Sequence, residues 1–178
     1  AAIRLIEAAR SQITTRTTAK RRLEAERDLV IAQLGLYLGL RVSEICAIQV
    51  KDFDFDARQA FVNQGKGGVD RYVPIARPVH DSLKAWADKS GGGPFISGPK
   101  GGPLTPRAIA YRVKNLGKLI GEPWLHPHAL RHSAATRLLA LGESIRGIQK
   151  FLGHASIKTT MVYLDVLVVD LHEKADLM

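Results

Sequence analysis

The run LHPHALRHSAATRLL brings His126, His128, Arg131 and His132 within seven positions of one another. A further histidine, His154, follows a Leu-Gly pair, and Tyr163 stands nine positions beyond it. His128 and Arg131 are three apart and share one face of a helix, close to the start that Pro127 marks. The unpaired N–H groups and the dipole at such a helix end favour an anion, and an arginine can set two parallel hydrogen bonds on phosphate oxygens. Upstream, Arg41 follows a glycine-terminated helix pattern, and Lys66 sits among Gly65, Gly67 and Gly68. Two arginines, a lysine, two histidines and a tyrosine suit one task, the displacement of an oxygen from a phosphodiester. A tyrosine with an ordinary pKa of about 10 reacts near neutrality only beside positive charge or a base.

Each residue also has a plainer reading. Arg131 would pair with a surface carboxylate and His128 would cap its helix. His128 and His132 have the i, i+4 spacing of zinc helices, with His126 as a third ligand. Against a metal stand the lack of Asp, Glu or Cys in the run and the positive charge of Arg131. Tyr163 would be a half-buried amphipathic residue, and Lys66 a solvated lysine on a hairpin tip. The residue types alone leave these alternatives open.

The elements that must position these groups are mostly helical. Apolar spacing predicts helices over 3–13 and 19–38, the second ended by Gly39, and a short helix from Ser43 to Val50 with Ser43 as its cap. Ile3 in the first helix and Leu23 in the second fall on their apolar faces. DFDFD, QAFVN and VDRYVPI alternate polar and apolar residues and read as three short strands, with QGKGG as the hairpin tip. Further helices are expected over 78–89, from the Thr105 cap to 116, over 127–141, and from the Ser144 cap to 152, where Gly153 closes the last. Ser156 caps a final one containing Tyr163. The Gly/Pro-rich stretch 90–103 is a loop around Phe95 and Ile96. The expected fold class is α+β, mainly helical, a bundle of helices with a small three-stranded antiparallel sheet.

At 178 residues the chain is long enough for one domain and an arm. Its 26 Lys+Arg against 17 Asp+Glu give a net charge of +9, which favours a polyanionic partner. The single cysteine, Cys46, excludes a disulfide framework or a cysteine zinc site. No apolar run reaches the roughly 18 residues of a membrane span, and no signal peptide is visible.

Four motifs in order carry a family resemblance. LGLYLGLRVSEICAIQVKDFDF resembles the first arginine motif of the tyrosine recombinases, the integrase and Xer-like site-specific recombinases. GKGGVDRYVPI is similar to their lysine hairpin, HPHALRHSAATRLL to their His-x-x-Arg motif, and LGHASIKTTMVYLDV to their Leu-Gly-His and tyrosine motif. The resemblance extends from about Thr14 to Val168 and points to the C-terminal catalytic domain. It implies that Arg41 and Arg131 clamp the scissile phosphate, that His128 bonds it and helps take or hold the tyrosine proton, and that Lys66 protonates the departing 5′-oxygen. His154 would bond a non-bridging oxygen, Tyr163 would form the 3′-phosphotyrosine, and Glu44 would orient Arg41. His132 is assigned to packing.

By the same resemblance no metal or other cofactor is implied. The partners are double-stranded DNA, three further copies in a tetramer on that DNA, and accessory DNA-bending proteins, with a monomer expected off DNA and no membrane. Arg107, Arg112 and Lys114 on the helix after Thr105, with Lys158 and Thr159, are the candidate DNA contacts. The expected division is 1–16 as a linker or N-terminal helix of a longer protein, 17–168 as the catalytic domain and 169–178 as a tail, which docks on a neighbouring copy, folds back or is disordered. The expected setting is the cytoplasm, bacterial, phage-borne or archaeal in source, with association to the nucleoid. A silent DNA-binding regulator and a type IB topoisomerase are the competing functions.

Overall fold

Leu29 to Leu36 form an unbroken run of buried residues on helix α2 (Ala19–Tyr37), so this half of the helix is enclosed on every side. The apolar face read from the sequence is therefore the whole circumference, and Leu23 at the wetter end is exposed instead. The computed structural model describes residues 2–63 and 70–154. Around α2 pack α1 (Ala2–Thr15), α4 (Arg77–Ser90), α5 (Pro106–Leu119) and α6 (Pro127–Ala140). Helix α1 buries Leu5, Ile6 and Ala9 in the shared core while Ile3 faces out. The segment expected as a linker or N-terminal helix is thus helical and packs on the shared core.

The chain leaves α2 through Gly39, whose φ of 62° lies in the left-handed region that only glycine enters at little cost. The turn delivers Arg41 to the start of α3 (Val42–Ala47). Glu44, rather than Ser43, closes that helix start: the Arg41 N–H donates to Glu44 Oε2 at 2.7 Å. A carboxylate three residues in reaches back to the entering N–H, as in a capping box. Helix α3 stops at Ala47, because Ile48 is already extended, and a 3-10 turn over Val50–Asp52 follows.

Three strands, β1 (Phe53–Asp54), β2 (Gln59–Val62) and β3 (Arg71–Pro74), make the antiparallel sheet in the order β1-β2-β3, each shorter than its alternating pattern. Ala60 pairs with Val73 and Val62 with Arg71, which sets Ala60, Val62, Arg71 and Val73 on the covered face. Trp86 on α4 donates its indole N–H to the Phe95 carbonyl at 2.7 Å, pinning the buried Phe95-Ile96 island. Thr105 caps α5 and Ser144 caps α7 (Ile145–Leu152), each accepting from a backbone N–H three residues on, and Gly153 ends α7 at φ 65°. The expected α+β, helix-dominated class is the observed one. Among the described residues no helix is long and apolar enough to cross a membrane.

The α2–α6 crossing is close because Gly35 has no side chain. A Cβ there would stand 2.8 Å from Leu130 Cβ, an atom fixed to the α6 backbone. Helix propensity favours Gly35→Ala by about 1 kcal/mol, but overpacking of a filled crossing costs about 1–3 kcal/mol. The close contact wins: Gly35→Ala should lower the urea midpoint, with a loss of up to about 2 kcal/mol in unfolding free energy, whereas propensity alone would raise it.

Candidate active site

Glu44 lies under three arginines. Its carboxylate accepts from Arg71 through both oxygens, Nη1 to Oε1 at 2.9 Å and Nη2 to Oε2 at 3.0 Å. Arg41 Nη1 donates to Oε1 at 2.9 Å, and Arg131 Nη1 stands 3.6 Å from Oε2. Glu44, Arg71 and Arg131 are buried, while the Arg41 side chain keeps 36% of its surface exposed. Burial works to raise the Glu44 pKa, but the hydrogen bonds from Arg71 and the Arg41 backbone, with the charges of Arg71 and Arg131, hold it below the ordinary value. Three guanidiniums face one carboxylate, so the cluster keeps a surplus of positive charge.

The same arginines hold the end of α7. Arg71 Nε donates to the Phe151 carbonyl at 2.8 Å, Arg131 Nη2 to Leu152 at 2.5 Å and Arg41 Nη2 to Gly153 at 3.0 Å. The last carbonyls of a helix lack intrahelical partners and carry the negative end of its dipole. Cations at three successive carbonyls satisfy both. Arg131 also donates to the Gly39 carbonyl at 2.5 Å, tying α6 to the turn that sets Arg41.

Two histidines border this cluster. The His126 ring, not that of His128, caps α6 by accepting from the Ala129 N–H at 3.3 Å, and it lies parallel to the His128 ring with centroids 6.4 Å apart. The His128 pKa lies below the ordinary value through burial and then the charges of Arg131, His126, His132 and Arg41. His154, directly after α7, is brought down to about 4, by burial first and then by Arg131, Arg41 and Arg71. Both are neutral imidazoles near pH 7. No group of three His, Cys, Asp or Glu placed to hold a metal occurs among the described residues. Open clefts of about 720 and 730 Å³ flank the cluster, one lined by Arg41, Ser43, Lys51 and Asn63, the other by Arg71, Tyr72, Lys150 and His154.

Residues 6–168 match the model of the phage integrase family. The chain belongs to the phage integrase family. It is 40% identical over 141 residues to the tyrosine recombinase XerC of Xylella fastidiosa (strain M23), covering 77% of this chain and 48% of the relative. It is 37% identical over 161 residues to the XerC of Mycobacterium sp. (strain KMS), covering 85% and 53%. The chain therefore spans about half the length of these curated relatives. The crystal structure of XerA recombinase superposes with a TM-score of 0.79 at 29% identity, over 98% of this chain and 62% of that one. XerH bound to palindromic difH in a post-cleavage complex gives 0.80 at 24% identity, over 98% and 50%.

In this family member the structure brings together Arg41, Glu44, His128, Arg131 and His154 of the residues expected from the sequence. Lys66, Lys158, Thr159 and Tyr163 lie outside the described residues. Of the expected DNA contacts, Arg107 and Lys114 are exposed on α5 and form one stripe with Tyr111 and Lys118 at helical spacing. Arg112 departs from that stripe: it is turned to α2 and paired with Asp28 at 2.7 Å. Arg131 is not a surface partner of a carboxylate, being 1% exposed. Arg71 is the residue the sequence reading passed over. Its signal was present, an arginine in an inward series that runs Arg71, Val73 along β3 and on to Ile75 just after it.

The depressed histidines make stability depend on pH. As pH falls below the ordinary value of 6.5, the unfolded chain takes up protons on His128 and His154 that the folded chain binds only at lower pH. Stability is therefore full above 6.5 and is lost progressively toward about 4. Thermal melts from about pH 7.5 down to about pH 4.5 should show this fall, and His154→Asn should flatten it.

Proposed function

We propose that this chain is the catalytic part of a site-specific DNA recombinase that cuts and rejoins strands through a 3′-phosphotyrosine. The observation that carries the reading is the pairing of Arg41 and Arg131 about one buried carboxylate, beside two neutral imidazoles. Guanidiniums fixed before substrate arrives need no reorganisation when charge develops on phosphorus oxygens, and one such donor is typically worth about 10²–10³ in rate. The XerC relatives, named as tyrosine recombinases, support the same chemistry.

In the proposed step the Tyr163 oxygen attacks phosphorus and the P–O5′ bond breaks. The tyrosine proton passes to His128, whose lowered pKa leaves the imidazole unprotonated and able to accept it. The bond electrons leave with the 5′-oxygen, which takes a proton from Lys66 and becomes a hydroxyl. His154, neutral, donates a ring N–H to a non-bridging oxygen. Attack by another strand's 5′-hydroxyl on the phosphotyrosine reverses the sequence and exchanges the strands. No step calls for a metal. Duplex DNA is the substrate, a tetramer on it is the working assembly, and the setting is the cytoplasm.

A pool of nicked duplexes with randomised sequence around the nick tests the chemistry, because loss of the short cleaved fragment traps the adduct. A covalent protein–DNA band should form on a denaturing gel, and Tyr163→Phe should abolish it. A band that persists in that variant overturns the assignment, and no band at all favours a silent binding module. The α5 stripe gives a second check. Lys114→Ala should weaken binding of the recovered duplex at every salt concentration and lower the slope of log affinity against log salt by about one, as loss of one phosphate contact requires. Arg112→Ala should leave that slope unchanged.

A further inference from the structure

We propose that Arg71 is a positioning residue for strand cleavage, holding Arg41 and Arg131 in register with each other and with the end of α7 without touching the phosphate itself. The proposal rests on the recombinase reading above and extends it to a residue assigned no part there. Arg71 is 7% exposed and points inward from the first position of β3. Its three guanidinium nitrogens are all engaged, two with the Glu44 oxygens and one with the Phe151 carbonyl. It thereby joins three elements that, among the described residues, no backbone hydrogen bond connects: the start of α3, the sheet and the α7 terminus.

The geometry shows why a neutral or shorter residue would not serve. Arg41 approaches Glu44 through Oε1 and its own backbone N–H reaches Oε2, so the carboxylate plane sets both the side chain and the helix start. Arg131 is near Oε2 and grips Leu152, the residue after the one that Arg71 holds. Rotation of the Glu44 carboxylate would shift both arginines, and the bidentate bond from Arg71 is what locks that rotation. A lysine offers one point charge and cannot span both oxygens and a carbonyl together. Arg71 also pairs in register with Val62. Lys66 lies between these two in the chain, so Arg71 anchors one root of the segment that carries the proposed acid.

The test is single-turnover cleavage of the nicked duplex recovered with the 178-residue chain, reading the rate constant, the amplitude and the affinity separately. Arg71→Ala should cut the rate constant by about 10- to 100-fold, less than loss of a direct phosphate donor, with affinity within about threefold of the parent. A merely structural role would lower the amplitude, through the unfolded fraction, and leave the rate constant of the remaining molecules unchanged. That result overturns the proposal. Should Arg71→Ala not fold, Arg71→Lys keeps the charge and decides the matter: about a 10-fold slower rate at full amplitude supports positioning, and an unaltered rate overturns it. Absence of any Tyr163-dependent adduct with the parent chain would instead remove the recombinase reading, and this proposal with it.

Discussion

One buried carboxylate organises this domain. Glu44 is contacted by Arg41, Arg71 and Arg131, from the residue before α3, from β3 and from α6, and a buried ion without partners would cost several kcal/mol. The charges cannot be separated cheaply, so the elements carrying them cannot drift apart. Each arginine also donates a hydrogen bond to one of three successive carbonyls at the end of α7, which brings the helix leading to His154 into the same unit. An apolar core could pack these helices equally well. It could not fix the orientation of two guanidinium planes.

The core supplies what the ion cluster lacks, which is the distance between its parts. Helix α2 is enclosed along Leu29–Leu36, and α6 lies against it where Gly35 permits close approach to Leu130, the neighbour of Arg131. The glycine turn after α2 sets Arg41 and lends its carbonyl to Arg131. Packing thus places the α6 arginine within reach of the α3 carboxylate, and electrostatics then fixes the angle. The depressed pKa of His154 is a consequence of the same arrangement, since it sits half-buried beside three cations.

Much of this was legible in the residue order. Helix ends were readable because caps are local: Thr105, Ser144 and Gly153 act on backbone groups within a few residues. Arg41, His128, Arg131 and His154 each had a plainer reading as residue types, and it was their order and spacing in four motifs that singled them out. Where the reading slipped, a distant partner was responsible. Ser43 looked like the cap of α3, but Glu44 took the role while binding Arg71 from the sheet. Arg112 was expected at the DNA face with its neighbours, and its pairing with Asp28, 84 positions away, had no local sign.

The order of residues carries periodicity, caps and the chemical types available for phosphate chemistry, because each depends on neighbours within about one or two turns of chain. Family membership follows from the same local motifs. Which charges meet is a different matter. That Arg71 faces inward follows from strand alternation, but that it meets Glu44 and Phe151 depends on how β3, α3 and α7 pack, at separations of 27 and 80 positions. Contacts over such separations have no local signature. Only the folded chain brings one carboxylate under three arginines, and only there do scattered cations become a site.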